Sequence, residues 1–307
     1  MKISKNFKLR SSQIPYEIEH FLAVTNKNHW EYVIRNIENT SGHYYKNYLY
    51  IRNPLAKAFQ IYFEVQKKGL SIHQYRNQEI YFLGGITYLF NHLYNNLDKH
   101  AKNILIGRIK DDDVRSLLFE FKIATHFFTY GFDIDFIEYE KVDHSNRIFD
   151  LLLLKEGKEL EVECKYKEYD SKRKITRPAL YLLVDLIINE IDISKFNCLI
   201  AFEFKKRLSK KRDIQNIIID NLKLKLNSKD WSKSEYDKFT LEIFPLEFSG
   251  NLDTAEKVIN VIKPYYKENC HFGSLSSNEN NLLLRFSTLE KESIADGIYD
   301  SLKNSLQ

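Results

Sequence analysis

The first third of the chain has the apolar spacing of helices. One stripe at intervals of three and four residues is formed by Trp30, Val33, Ile34 and Ile37. Residues spaced in this way share one face of a helix. Asn53 followed by Pro54 is a typical helix start, and apolar residues follow it at helical intervals. The pattern therefore predicts an all-helical region over residues 15–108.

A further helix is predicted over residues 112–130. Three acidic residues, Asp111 to Asp113, can cap its first turn and favour the positive end of the helix dipole. Gly131 is a typical residue just beyond a helix end. The apolar stripe of this helix consists of Leu117, Leu118, Phe121, Ala124 and Phe128.

After Gly131 the apolar pattern becomes that of strands and later alternates with helices. Strands are predicted over 132–139, 148–154 and 160–166, and a turn from Lys155 to Lys158 joins the last two. A helix over 178–191, a strand over 197–204 and a helix over 213–226 complete an α/β core. The remainder predicts strand 239–248, helix 253–266, strand 281–287 and helix 290–304. The pattern leaves open whether these extend the same sheet or form a separate unit.

The composition is that of a globular chain, with 43% hydrophobic and 29% charged residues. These values exclude a disordered protein, and 10 Gly with 5 Pro exclude a collagen-like one. Three widely spaced cysteines without a C-x-x-C pair favour a reducing compartment over a disulfide framework or a zinc site. No secretion signal is visible, and the longest uncharged run, residues 81–97, is too short for a membrane span. We expect a cytoplasmic protein without membrane contact.

The turn between the second and third predicted strands fixes their register. Either a two-residue turn at Glu156 and Gly157 or a four-residue turn places Asp150 directly opposite Glu163. Lys165 is two residues further along the strand and therefore shares their face. On the other face Leu151 would meet Val162 and Leu153 would meet Leu160, an apolar layer that a one-residue slip would destroy. The continuous apolar run from 151 to 154 predicts a hairpin that is covered on both sides.

Two carboxylates at this separation repel each other unless a cation lies between them. Hard oxygen ligands suit Mg²⁺, with Mn²⁺ as a substitute, and such an ion can polarise a phosphodiester. A neighbouring lysine can orient or deprotonate the attacking water. Glu120 on the preceding helix can add a further carboxylate, directly or through water. Asp150, Glu163 and Lys165, with Glu120, are therefore the candidate catalytic and metal-binding residues.

This order of residues resembles the PD-(D/E)xK nuclease superfamily over residues 111–204. The shared features are Glu120 on a helix, Asp150 on the second strand and Glu163-Cys164-Lys165 on the third. The resemblance implies a restriction-endonuclease-like αβββαβ core, with Asp150 and Glu163 as metal ligands, Lys165 as the catalytic lysine and Glu120 as an accessory acid. Phe149 stands where the name of the motif has proline. Cys164 should face the apolar side of its strand and serve packing.

A basic run follows the predicted strand 197–204. It contains Lys205, Lys206, Arg207, Lys210, Lys211 and Arg212. Such a run can contact the phosphates of a nucleic acid, or it can be a solvated linker. An acidic stretch over 111–163 lies between two basic ones, a distribution that suits a polyanion-binding protein with a carboxylate cluster.

Together these features predict a metal-dependent endonuclease acting on DNA, with restriction or anti-phage defence as the setting that the resemblance suggests. One alternative is a non-cleaving nucleic-acid-binding or protein-interaction module on the same fold, and another is a toxin-like nuclease that cuts RNA. The predicted organisation is a helical recognition or partner region over 1–109, a nuclease core over 110–226 and an α/β extension over 227–307. A partner protein or a homo-oligomer fits the helical region.

Overall fold

The structure is a computed structural model. It describes residues 2–3, 9–70, 77–137, 150–166, 174–247, 252, 254–265, 270–277 and 280–288. This part of the chain is mixed α/β, with ten α-helices, a four-stranded sheet and a five-stranded sheet. None of its helices is both long and apolar enough to cross a membrane. Contacts divide the chain into two units, residues 1–40 with 49–166 and residues 41–48 with 167–307.

The helices confirm the helical prediction for the described residues of the first third. They are α1 (Ile14–Thr25), α2 (Lys27–Glu38), α3 (His43–Arg52), α4 (Pro54–Lys67), α5 (Gln78–Asn96), α6 (Lys99–Ile109) and α7 (Arg115–Thr129). The start of α4 follows the predicted signal, since Asn53 Oδ1 accepts the Ala56 N–H at 3.0 Å. The start of α7 is three residues later than predicted. Asp113 accepts the Arg115 N–H at 3.3 Å and also binds the Arg115 guanidinium.

The four-stranded sheet belongs to the first unit and is antiparallel throughout. Its strands, in spatial order, are β1 (Lys2–Ile3), β2 (Asp133–Phe136), β3 (Leu151–Lys155) and β4 (Lys158–Val162). Leu151 pairs with Val162 and Leu153 with Leu160, which confirms the predicted register of the hairpin. Glu156 and Gly157 have φ of 50° and 75°, the two positive values of a two-residue turn that matches strand twist.

Only one face of this hairpin is well covered, so the prediction of cover on both sides is wrong. Leu151 and Leu153 are buried in the same apolar cluster as the helices of the unit, and the Phe121 ring of α7 meets Phe136 edge-on at 6.1 Å. On the other face, Leu152 and Leu154 are only partly buried, and the residues opposite them, Glu161 and Glu159, are exposed. Because β4 is an edge strand with Lys158, Glu159 and Glu161 exposed, its charges discourage the addition of another strand.

The second unit contains the five-stranded sheet. Its elements are α8 (Arg177–Glu190), β5 (Cys198–Phe204), α9 (Arg212–Ser228), β6 (Ser234–Glu235), β7 (Phe239–Pro245), α10 (Ala255–Ile262), β8 (His271–Ser277) and β9 (Asn280–Thr288). The strand order is β6-β7-β5-β9-β8, and only the pair β5–β9 is parallel among the described strands. Apolar clusters lie on both faces of β5, as expected for a central strand without alternating polarity.

This topology differs from the predicted single-sheet core. Strand β5 pairs with β7 and β9, and not with the sheet that contains the β3–β4 hairpin. The strands predicted over 239–248 and 281–287 therefore extend the sheet of β5, which the sequence pattern left open. The unit boundary at 166/167 also differs from the boundaries predicted at 109/110 and 226/227. The helix predicted over 290–304 lies outside the described residues.

Residues 41–48 belong to the second unit because a buried acid holds the start of α3. Asp185 of α8 accepts the backbone N–H groups of Tyr44 and Tyr45 at 3.0 and 2.9 Å. Gly42 has a φ of 100°, and a Cβ atom there would lie 2.2 Å from Asp185 Oδ2. The close approach therefore requires glycine at this position.

Candidate active site

Asp150 is held in place by three hydrogen bonds at the start of the β3–β4 hairpin. Its N–H donates to Val162 O at 3.1 Å, and its own carbonyl accepts the Ile137 N–H at 3.0 Å. Its side chain also takes part, because Asp150 Oδ2 accepts the Cys164 N–H at 2.6 Å. The half-buried carboxylate of Asp150 is thus fixed to the backbone of the segment that follows β4.

The strand β4 ends at Val162, so the prediction of a strand up to Tyr166 is wrong. The bond from the Asp150 N–H to Val162 O lies one residue out of the register that Leu151 and Val162 define. Asp150 therefore does not continue the ladder opposite Glu163. Aspartate side chains compete with the backbone for nearby N–H groups. Here the Asp150 carboxylate binds the Cys164 N–H, and residues 163–166 follow the strand as an irregular segment.

Glu163 and Lys165 nevertheless lie together, as predicted. Lys165 Nζ forms an ion pair with Glu163 Oε1, and the side chains of Lys165 and Glu163 are 46% and 34% exposed. Between them, Cys164 packs against the apolar cluster of the unit, which confirms its predicted packing role. The hydrogen bond with Glu163 raises the pKa of the Lys165 amine. The lysine is therefore positively charged at neutral pH.

Glu120 lies on the buried face of α7 and is held by an arginine. It is flanked one turn away by buried Leu117 and Ala124, which places all three on the inward face of the helix. Arg108 of α6 donates from Nη1 to Glu120 Oε2 at 2.9 Å and from Nη2 to Glu120 Oε1 at 2.5 Å. A two-bond pair of this geometry is among the stronger interactions in proteins.

Arg108 is the residue of this site that the sequence pattern does not reveal. It lies on a different helix from Glu120, and its spacing to the carboxylates corresponds to no motif. The signal available in the sequence is indirect: a glutamate on the apolar face of a helix needs a partner, since a buried charge is costly without one. That argument predicts that a cation is present but not which residue provides it.

The pKa values show that the carboxylates act on one another. Burial raises the pKa of Asp150, and the negative charge of Glu163 raises it further, against the opposing hydrogen bond from Cys164 and the charges of Arg108 and Lys165. Burial and the charges of Asp150, Glu120 and Glu163 raise the pKa of the Cys164 thiol to about 12. All three predicted carboxylates are therefore close enough to Cys164 for their charges to act on its thiol.

The carboxylates of Asp150 and Glu163 are the kind of ligand that Mg²⁺ takes in proteins. Asp150 and Glu163 offer hard oxygens, and Mg²⁺ commonly binds through one or two carboxylates with water completing its shell. Burial first and then the negative charge of Glu163 raise the pKa of Asp150, and a bound cation would favour the ionised carboxylate. Both oxygens of Glu120 accept from Arg108, which favours the second of its two predicted roles, a contribution to the ion through water. Within the described residues no group of three or more His, Cys, Asp and Glu side chains is arranged to hold a metal ion.

Arg115 and Phe119 of α7 both lie close to the Tyr166 ring, which follows Lys165 in the chain. The Arg115 guanidinium lies 5.3 Å from the centre of the Tyr166 ring, and Phe119 lies 6.1 Å from the same ring. Asp113 binds Arg115 and also accepts from Arg52 Nε at 3.2 Å. The hydrogen bonds and charges of these arginines lower the pKa of Asp113 although burial opposes them. This network fixes the start of the helix that carries Glu120.

The basic run belongs to the second unit and is not uniform. Lys205 Nζ donates to Tyr236 O at 3.0 Å, and Lys206 Nζ lies 3.0 Å from both carboxylate oxygens of Asp237. These two lysines therefore hold residues 235–238. The other four cations of the run have exposed side chains: Arg207, Lys210, Lys211 and Arg212.

Comparison of the chain with protein-family models, with curated proteins and with solved structures found no match. The resemblance to PD-(D/E)xK nucleases therefore depends on the residues and the local arrangement described above.

Proposed function

We propose that this chain is a magnesium-dependent nuclease that hydrolyses phosphodiester bonds of DNA. The observation that carries the proposal is the gathering of Asp150, Glu163 and Lys165 at one end of a hairpin, beside Glu120 of α7. The cluster is partly exposed, so that a phosphate can reach it. Clusters of carboxylates with perturbed pKa values are more frequent at functional sites than elsewhere.

The local fold supports membership of the PD-(D/E)xK superfamily for part of the core. Helix α7 carries Glu120 and is followed by β2, β3 and β4 in one antiparallel sheet, with Asp150 directly before β3 and Glu163 directly after β4. Helix α8 and strand β5 come next in the chain, as in the αβββαβ order, but β5 belongs to the second sheet. The proposal therefore extends to the αβββ part of the core.

In the proposed reaction each residue of the site would have its own role. Asp150 and Glu163 would hold the ion, and the chemistry it would supply is polarisation of the phosphodiester and activation of the attacking water. Lys165 lies beside Glu163 as a positive charge that can orient the attacking water and stabilise negative charge on the phosphate. Glu120 positions Arg108, whose charge acts on the Asp150 carboxyl.

Cleavage of supercoiled plasmid, linear duplex, single strands and tRNA with Mg²⁺ or Mn²⁺ tests the proposal and its RNA-cutting alternative. Asp150→Asn, Glu163→Gln and Lys165→Ala should each reduce cleavage at least about 100-fold, because each removes a group that stabilises the transition state. Glu161→Gln is the matched control, since Glu161 is an exposed carboxylate of β4 two residues from Glu163. Cleavage that survives all three substitutions would overturn the assignment.

A second candidate function is a nucleic-acid-binding or protein-interaction module that does not cleave. The Arg108–Glu120 pair favours it, because a guanidinium already neutralises one of the carboxylates. In such a module the cluster would stabilise the fold and would need no metal. The cleavage assay, together with DNA binding measured in EDTA, separates the two functions. A non-cleaving nucleic-acid-binding module would bind DNA in EDTA and would cut no substrate when metal is added.

A further inference from the structure

The second unit contains a cavity of about 180 Å³ that combines apolar walls with cations at its rim. Its apolar lining includes Ile214, Ile217 and Ile218 of α9 together with Phe204, Tyr236 and Phe239. Arg207 and Lys238, both exposed, also line it. This cavity lies apart in the chain from the carboxylate cluster, which belongs to the first unit.

An aromatic stack forms one wall of the cavity. The rings of Tyr236 and Phe239 are stacked at 4.6 Å with an angle of 22° between their planes, and Phe239 lies 6.3 Å from Phe204. Residues 235–238 are held in place from the basic run, since Lys205 donates to Tyr236 O and Lys206 pairs with Asp237. The half-buried Tyr236 is therefore presented on a fixed segment.

Charge distinguishes this cavity from an ordinary gap between apolar side chains. Lys206 is neutralised by Asp237, but among the described residues no ion pair involves Arg207 or Lys238. Arg207 and Lys238 both line the cavity, and Asp237, the partner of Lys206, is the acidic residue of its lining. The rim is therefore positive, while Ile217, 57% exposed, leaves apolar surface open to a ligand.

We propose that this cavity takes an unpaired base of a single-stranded nucleic acid, with the flanking phosphates on Arg207 and Lys238. A base is a flat apolar ring attached to an anion, which matches apolar walls with a positive rim. A paired base in a duplex offers only its edge, so the ligand must be unpaired. This inference rests on the proposed function in taking a nucleic acid as the partner, and it names the strand state that the second unit recognises.

Fluorescence anisotropy in EDTA tests the inference without cleavage. The probes are a 12-nucleotide oligothymidine, an abasic strand of the same length and a 12-base-pair duplex. Wild-type protein should bind oligothymidine at least about fivefold more tightly than the abasic strand, because stacking a base contributes roughly 1–3 kcal/mol. It should also bind the duplex more weakly than oligothymidine.

Variants locate the binding in the cavity. Ile217→Ser and Tyr236→Leu should weaken oligothymidine binding about tenfold and leave abasic binding unchanged. Leu224→Ser is the matched control, because Leu224 is an exposed apolar residue of the same helix, at 68%, and does not line the cavity. Arg207→Gln should weaken the binding of both strands and reduce the salt dependence by about 0.7 in slope.

Equal affinity for the abasic strand and oligothymidine, tighter binding of the duplex, or equal effects of Ile217→Ser and Leu224→Ser would each overturn this inference. Failure of the proposed nuclease activity gives a different result. In that case oligothymidine binding in EDTA persists and no substrate is cut with Mg²⁺. Plasmid cleavage without oligothymidine binding would instead reject the cavity alone.

Discussion

Asp150 combines two roles, one in the backbone of the hairpin and one proposed in catalysis. Its carboxylate accepts the Cys164 N–H, and the strand ends where that bond forms. The same carboxylate has a raised pKa, caused first by burial and then by Glu163. The surroundings of this carboxylate disfavour its ionised form, while its hydrogen bond fixes it in place. Such a carboxylate is suited to bind a cation, because the cation stabilises the ionised form.

Asp150→Asn should therefore leave the metal-free protein no less stable at pH 7. Asparagine keeps an oxygen for the Cys164 N–H and removes the charge. Because the folded pKa of Asp150 is raised above the unfolded value, its ionisation opposes folding. Wild-type protein should lose stability relative to the variant as the pH rises from about 4 through the raised pKa, and the difference should vanish below pH about 4. Thermal melting in EDTA across this pH range measures the effect.

Addition of metal should reverse the order of stability. At a Mg²⁺ or Mn²⁺ concentration of 100 times Kd, wild-type protein should gain about 2.7 kcal/mol, whereas Asp150→Asn should gain little. Glu161→Gln, which changes an exposed carboxylate of β4, should respond as wild type does. An equal shift of the melting temperature in wild type and Asp150→Asn would contradict metal binding at Asp150.

At the scale of elements, the hairpin shows what the sequence can predict and where it fails. The turn residues Glu156 and Gly157 and the alternation of Leu151 and Leu153 determine the register, and these signals are local. The end of β4 depends on which acceptor the Cys164 N–H takes. The Asp150 carboxylate accepts this N–H in place of a backbone carbonyl. The hydrophobic pattern of the sequence does not indicate which acceptor is used. Proximity of the site residues was therefore predictable, and their strand geometry was not.

The junction of α6 and α7 depends on the Arg108–Glu120 pair. Arg108→Gln should reduce the free energy of unfolding by about 3 kcal/mol, because it leaves a buried carboxylate without its partner. The double variant Arg108→Gln, Glu120→Gln should recover part of this loss, since it removes the unpaired charge. Urea unfolding of the single and double variants measures the coupling. Additive losses in the double variant would show that Glu120 has its main partner elsewhere.

At the scale of the whole molecule, the helices of the first unit and its sheet share one apolar core. The cluster includes Ile14 of α1, Phe90 of α5 and Ile109 of α6 together with Phe121 of α7 and Leu151 of β3. The sequence predicted these elements but placed a domain boundary at 109/110. Helical periodicity identifies an apolar face without identifying the element that covers it. The pattern also failed to predict that β5 belongs to the second sheet. Strands pair through residues that are far apart in the sequence, and periodicity does not identify those partners.

The shared core predicts the result of truncation. A chain beginning at Asp111 would lack α1 to α6, expose the apolar faces of α7 and β3, and leave Glu120 without Arg108. It should be insoluble or retain helical structure without fixed tertiary packing, with near-ultraviolet circular dichroism lost and dye binding increased. A chain beginning at Leu9 is the control, because it removes only β1 from the described elements and keeps the core. If the chain from Asp111 melted cooperatively and cut plasmid, the helical region would be a separate domain after all.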